Sequence, residues 1–433
     1  MMAISKFLFA MIGASLAFLI VTTNHSIAQY IHAGHQPPQP AFQGQTRAPI
    51  ADQSPLVDIS VIADKLYLPF GIATLPNGNL LISEMTGRLS LIKADGTINK
   101  PITGLPPIRG YWYMGLMDVI LDPDFENNRL VYFSYFAPPK GESGNGMHQT
   151  TKEWGDAYAR TTALHDEWKI KSEEEKDKNP FDTRHIGRGT LSPDESRIEN
   201  FEVIFEVGAR RMTFGSDGKL YVTTWGGKGG PQDPTTLDSK MIRINPDGSI
   251  PNDNPFVGNK DVHDAIYAFG FRDPSGVALN PSSGDVWTIE HGPQGGDEIN
   301  IMKPGANYGW PIITYGREYG DDALPVGEGI SAKEGLEQPT YFWNPNIAPS
   351  SIMFYTGHLF PKWKGNLFAT TLKTRNLVRL ELSGNHVTAE ERLISHFDER
   401  IRTAKQGIDG AIYMVTDSKE NGQLIKITPK KKE

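Results

Sequence analysis

Three short runs in the second half of the chain gather the side chains that could do chemistry. They are Gly270-Phe271-Arg272-Asp273-Pro274-Ser275-Gly276, Glu290-His291-Gly292-Pro293-Gln294-Gly295-Gly296-Asp297-Glu298-Ile299-Asn300, and Asn307-Tyr308-Gly309-Trp310-Pro311. Arg272 offers a rigid fork of donors for an anionic or carbonyl oxygen. His291 can move a proton near neutral pH. Gly292-Pro293 can turn main-chain carbonyls toward a hard cation, and Ca²⁺ accepts such oxygens. A plainer reading stays open beside this one: Arg272 and Asp273 pair with each other, and Asp297-Glu298 cap a turn. The chain has no Walker loop, no His-Glu-x-x-His pair, no Gly-x-Ser-x-Gly elbow and no cysteine at all, so the commonest phosphoryl, zinc, serine and thiol chemistries lack their motifs.

What must position these residues is a repeat, clearest at its turns. An apolar strand, a turn rich in Pro, Asn, Asp and Gly, and a second apolar strand recur along the chain. The turns are Pro76-Asn77-Gly78, Pro123 to Asn128, Asp217-Gly218, Pro281-Ser282-Ser283-Gly284, Lys364-Gly365-Asn366 and Asp409-Gly410. Asn-Gly and Asp-Gly between such strands signal hairpins, because glycine accepts the positive φ that a tight primed turn requires. Several units add an outer strand, as at Leu89-Ser90-Leu91-Ile92, Met241-Ile242-Arg243-Ile244 and Leu424-Ile425-Lys426-Ile427. Six units of three or four strands predict an all-β, six-bladed β-propeller over residues 56–430, its ring closed by the two ends of the chain. A large β-sandwich is the competing architecture, but it gives no reason for one turn to recur at blade-sized intervals. The chemical runs fall at strand ends of the fourth blade, where loops gather at the axis.

The rest of the sequence sets the context. Forty-three Lys and Arg against 51 Asp and Glu leave a mildly acidic chain with no basic stripe, which argues against a nucleic-acid partner and for a small neutral or polar ligand. Lys6, the apolar run Phe7 to Val21 and Ser26-Ile27-Ala28 follow the order of a secretory signal, predicting residues 1–28 as a signal peptide, a periplasmic or secreted product and no membrane span after its removal. Without disulfides, stability must come from burial in a large closed fold. Residues 29–55 read as an exposed linker. Residues 138–183, including Lys171 to Lys178, read as a polar insertion in the second blade, helical around Asp156 to Glu175, either a solvated decoration or a lid.

At Phe271 to Gly276, Glu290 to Asn300 and Asn307 to Pro311 the chain resembles the soluble quinoprotein glucose/sorbosone and aldose sugar dehydrogenases, over roughly Leu66 to Pro429. The resemblance implies a six-bladed propeller holding pyrroloquinoline quinone (PQQ) and Ca²⁺ on its axis, a sugar or alcohol substrate and an external electron acceptor. By similarity Arg272 matches the arginine that polarises the quinone oxygen, and Gly292 and Pro293 match the pair whose carbonyls hold Ca²⁺. Lys373, Arg400 and Arg402 match the cations that contact the quinone carboxylates. Charge-assisted bonds of that kind suit a tricarboxylate.

The substrate side departs from the family. The family's catalytic His lies four residues before the arginine matched by Arg211, which puts Val207 in its place. Asp273 stands where the family has Asn, and His291 and Tyr113 where it has Gln. Three expectations follow. His148, His165 or His185 could return to the axis; His291 or Asp273 could serve as the base for another sugar or alcohol; or the propeller could have left redox chemistry for glycan or protein binding, or for hydrolase or lyase chemistry on the same face.

Overall fold

The computed structural model describes residues 38–51, 54, 56–109, 115–138, 184–225, 230–320, 324–419 and 421–430. The proposed signal segment, the body of the insertion where a helix is expected, Tyr113, His148 and His165 lie outside the described residues. Six antiparallel sheets follow one another around a ring. The innermost strands are Pro69–Thr74, Leu116–Leu121, Ala209–Phe214, Pro274–Leu279, Pro349–Phe354 and Ile401–Gln406, and each touches its neighbours on both sides, the last meeting the first. Blade one has three strands and the other five have four. Val57–Leu66 completes blade six by pairing with Gly422–Pro429, so the two ends of the chain close the ring.

Each of the six predicted turns joins an innermost strand to the next strand outward, but the turn class differs from expectation. Gly78 N–H closes onto Leu75 O and Leu75 N–H onto Asn79 O, and the same pattern recurs at Gly218 with Gly215 and Lys219, and at Gly410 with Gly407 and Ala411. Only the glycine takes positive φ, at 88°, 70° and 79°, while Asn77, Asp217 and Asp409 do not. This is the three-residue loop ending in a glycine bulge rather than a primed two-residue turn. The Asn or Asp earns its place differently: its side-chain oxygen accepts the N–H two residues on, at 3.0 to 3.1 Å.

The core lies in the wedges between blades, and the second strands read as continuous apolar runs because both faces are covered. Leu81 packs toward blade two with Val119, Val131 and Phe133, whereas Leu80 and Ile82 pack toward blade six with Tyr413 and Val415. Each fully buried Leu or Ile of this kind contributes roughly 1.5–3 kcal/mol. Part of the stretch read as an exposed linker is instead seated on the ring. Gln45 is fully buried, its Nε2 donating to Pro339 O at 2.8 Å and its Oε1 accepting Tyr315 O–H at 3.0 Å, and Ile50 forms a bridge to Glu390 on blade five. A buried amide with every polar atom satisfied holds a segment that hydropathy alone leaves free.

One further repeat positions the site. The innermost strands carry a bulge close to their start: Phe70, Arg210, Ser275, Ser350 and Arg402 are extra residues in the register, and in blade two Met117 and Asp118 together face Ser134. A hydroxyl on the second strand catches the N–H that the bulge frees, Ser83 for Gly71 at 2.8 Å, Ser134 for Asp118 at 2.9 Å, Thr223 for Arg211 at 3.1 Å and Thr370 for Ser351 at 3.0 Å. Hydroxyls also reach the next blade's carbonyls: Ser83 to Met117, Ser275 to Pro349 at 2.8 Å, Thr370 to Arg402 at 3.3 Å and Thr403 to Phe70. Neighbouring strands approach so closely here that a Cβ at Gly71 would lie 2.8 Å from Val119 N, and one at Gly276 2.9 Å from Ser351 Cα.

Candidate active site

Bulges re-aim side chains, and here they aim them at the axis. Four of the bulged residues, Phe70, Met117, Arg210 and Arg402, line a cavity of about 230 Å³ at the end of the ring where the innermost strands begin; Trp225, Asp273, Leu372 and Arg400 complete it. Its volume is at the small end for small-molecule sites. Phe70, Met117, Trp225 and Leu372 form its apolar lining, and Arg210, Asp273, Arg400 and Arg402 carry its charge.

On the blade five and six side, Arg400 and Arg402 share Asp417. Arg400 Nε donates to Asp417 Oδ2 at 2.9 Å and Arg402 Nη2 to Oδ1 at 2.7 Å. Burial alone would push the Asp417 carboxyl up, but Arg402 and then Arg400 outweigh it and hold it below the ordinary range. Arg402 Nη1 is further fixed on Ser350 Oγ at 3.2 Å. Lys373 reaches Asn346 Oδ1, and Asn346 Nδ2 donates to Pro293 O at 3.0 Å. Two guanidiniums and an ammonium against one carboxylate give this wall a net positive charge.

Across the cavity stands Asp273, not paired with Arg272 as the plainer reading had it, but with Arg210. Arg210 is stacked 5.7 Å from the centre of the Trp225 ring. Burial tends to raise the Asp273 carboxyl, but Arg210, then His291, Arg272 and Arg402, hold it below the ordinary range. Its side chain keeps 29% of its surface open. An ionised carboxylate thus faces the cavity, held in place by its own guanidinium.

Arg272 and His291 line an adjoining crevice of about 10 Å³ together with Glu290, Gly292, Glu298, Tyr308 and Trp310. Such a space holds one water at most. Arg272 Nη1 donates to His291 O at 3.1 Å and Nη2 to Tyr319 O–H at 3.2 Å, with the guanidinium between the rings of Trp310 and Tyr319. Tyr319 was not among the sequence candidates. Burial pushes the His291 imidazole down to about 4, against the opposing pull of Asp273, and its Nε2 is buried without a hydrogen-bond partner. Burial likewise raises the Glu290 and Glu298 carboxyls, which sit opposite each other in the sheet.

Gly292 and Pro293 follow directly. Asp297, read as a turn cap, accepts Gly292 N–H at 2.9 Å, Ile347 N–H at 2.6 Å and Ala348 N–H at 2.7 Å, tying this turn to blade five. A Cβ at Gly292 would lie 2.1 Å from Gly295 O, so only glycine fits. Among the described residues no group of three or more His, Cys, Asp or Glu could hold a metal. The carbonyls of Gly292 and Pro293 suit a hard ion in kind.

The other candidates fall elsewhere. Val207 is packed in the core between blades two and three with Tyr132, Ile186 and Met212. His185 lies in an outer strand against Tyr135, its ring centre 5.5 Å away, and burial lowers its pKa.

The six-bladed ring is the fold of a class of proteins to which the chain's relatives belong. Residues 66–426 match the family model described as Glucose / Sorbosone dehydrogenase, and the chain belongs to this family of soluble quinoprotein sugar dehydrogenases. It is 32% identical over 386 residues to the aldose sugar dehydrogenase YliI of Escherichia coli, covering 86% of this chain and 93% of that one. A crystal structure of a glucose dehydrogenase, 34% identical, superposes with a TM-score of 0.72 over 85% of this chain and 99% of the other. A PQQ-bound aldose sugar dehydrogenase from Streptomyces coelicolor, 21% identical, shares the fold at a TM-score of 0.63, covering 88% of this chain and 100% of that one. Among the described residues, no helix is long and apolar enough to cross a membrane.

Proposed function

We propose that this chain is an exported PQQ- and Ca²⁺-dependent dehydrogenase that oxidises a hydroxyl of a sugar or related alcohol and passes the electrons to an external acceptor. The observation that carries the reading is the axial cavity, with Lys373, Arg400 and Arg402 beside one wall and an ionised Asp273 on the other. Lys373, Arg400 and Arg402 would hold the quinone carboxylates, with Phe70, Trp225 and Leu372 against its flat body. Gly292 and Pro293 carbonyls would hold Ca²⁺. When bound, PQQ supplies a two-electron acceptor for the hydride leaving the substrate carbon.

The chain's own residues supply the rest. Asp273 takes the hydroxyl proton; it is charged at neutral pH and open to the cavity, whereas His291 Nε2 is buried away from it. Arg210 keeps Asp273 ionised and aimed. Arg272, held against Trp310 and Tyr319 in the adjoining crevice, would polarise a quinone oxygen. The Lys6, Phe7 to Val21 and Ala28 pattern supports export. The test is a dye-reduction screen over aldoses and alcohols with the mature protein loaded with PQQ and Ca²⁺. Acceptor-dependent turnover is expected; folded protein that takes up quinone but turns over nothing in the panel would overturn the catalytic reading.

A further inference from the structure

Arg211 follows the bulge at Arg210, and its side chain runs into the propeller axis behind the cavity. Nη1 donates to Phe70 O at 3.2 Å in blade one and to Asp118 Oδ1 at 3.1 Å in blade two. Nη2 donates to Ser350 O at 3.5 Å in blade five, and to Arg402 O at 3.2 Å and Thr403 Oγ1 at 2.6 Å in blade six. Arg211 itself belongs to blade three, so five of the six blades meet at one guanidinium, which is 3% exposed and lies 3.9 Å from the centre of the Phe70 ring. The counter-charge is shared as well, since the second oxygen of Asp118 accepts Met212 N–H at 2.9 Å.

The carbonyls so gathered are those of the site. Phe70 and Arg402 line the cavity, and Ser350 supplies the hydroxyl on which the Arg402 side chain rests. A planar fork can serve several carbonyls at once from one point; an ammonium has three donors and no such plane. We propose that Arg211 is a positioning residue for the quinone site, setting the placement of Arg402 and Phe70 by drawing their main chains to the axis. The inference rests on the quinone reading above.

Arg379 provides the control. It is equally buried, 2% exposed, but lies away from the axis in blade five, where Nε donates to Glu391 at 2.7 Å and Nη1 to Asn366 at 2.6 Å. R211K and R379K are compared by thermal melting, by PQQ titration in excess Ca²⁺ well below either melting point, and by amide hydrogen exchange of the quinone-free proteins. Both variants melt earlier. Only R211K is expected to bind PQQ at least tenfold more weakly and to exchange faster at residues 401–404. Combining R211K with R402K is expected to cost less affinity than the product of the two single losses, because both act through one contact. An R211K affinity within twofold of R379K overturns the proposal. Should wild type take up no PQQ, the quinone reading fails by itself, and exchange then decides: unchanged protection at 401–404 in R211K overturns the positioning claim, and faster exchange there supports it. If R211K does not fold, T403V removes its shortest partner and is read in the same way; at least a threefold loss of PQQ affinity supports the claim and none overturns it.

Discussion

The two sides of the axial cavity are built differently. The blade five and six side is a relay of fixed charges, in which Asp417 orients Arg400 and Arg402, and Asn346 joins Lys373 to the Pro293 carbonyl. The facing side, from blades two to four, has one ion pair, Arg210 with Asp273, set against the Trp225 ring. The first side can hold an anion whatever happens at the second. The second carries the only ionised carboxylate that lines the cavity among the described residues. Binding and turnover should therefore separate cleanly by mutation.

The largest separation is expected from D273N, which keeps the shape of the side chain but cannot accept the proton. Turnover should fall about 10²- to 10⁴-fold, the usual range for a general base, with PQQ uptake nearly unchanged. Steady-state rates beside a quinone titration check it. The reverse pattern is expected from R402M. It removes a guanidinium only 1% exposed and leaves Asp417 half-paired, so PQQ affinity should drop by roughly 100-fold and stability by about 3 kcal/mol, read by titration and by denaturant melts.

R210Q sharpens the comparison through pH. Asp273 is held below the ordinary carboxylate range by Arg210 against the opposing effect of burial. Wild type should therefore show no inflection near the pH 6.5 typical of a free imidazole. Loss of Arg210 leaves burial unopposed by its main partner, raises the Asp273 pKa, and moves the acid limb of kcat/KM toward neutral pH. An unmoved limb would assign the proton to another group. The smallest effect is expected from H291Q, within about threefold of wild type in turnover, because Nε2 is buried away from the cavity. A large loss there would shift the base from Asp273 to His291.

What could be read from the sequence follows the same division. Five of the six hairpins were legible because a glycine at positive φ is a local demand that Gly78, Gly218, Gly284, Gly365 and Gly410 announce by themselves; the blade-two turn, without glycine, was legible only from its Pro, Asp and Asn content. Arg400, Arg402 and Lys373 were named only through the resemblance; the structure puts Arg400 and Arg402 in the cavity lining, and their contact with a quinone is the proposal. Arg210 was not, because a bulge shifts the register by one residue and no property of Arg210 itself marks it as facing the axis. A weak signal existed in the strand openings Pro69-Phe70-Gly71, Pro274-Ser275-Gly276 and Pro349-Ser350-Ser351, where proline starts the strand and a small residue follows the bulge. The seating of Gln45 and the position of Tyr319 over Arg272 depend on contacts more than 40 residues away in sequence, beyond any local pattern.

The central claim is that the cationic wall holds a quinone, and a calorimetric titration of PQQ into the mature protein with excess Ca²⁺ tests it most directly. The structure leads us to expect saturable binding of one PQQ per chain, weakened by R402M and largely indifferent to D273N. Absence of saturable binding to folded protein, or binding that R402M leaves untouched, would contradict it.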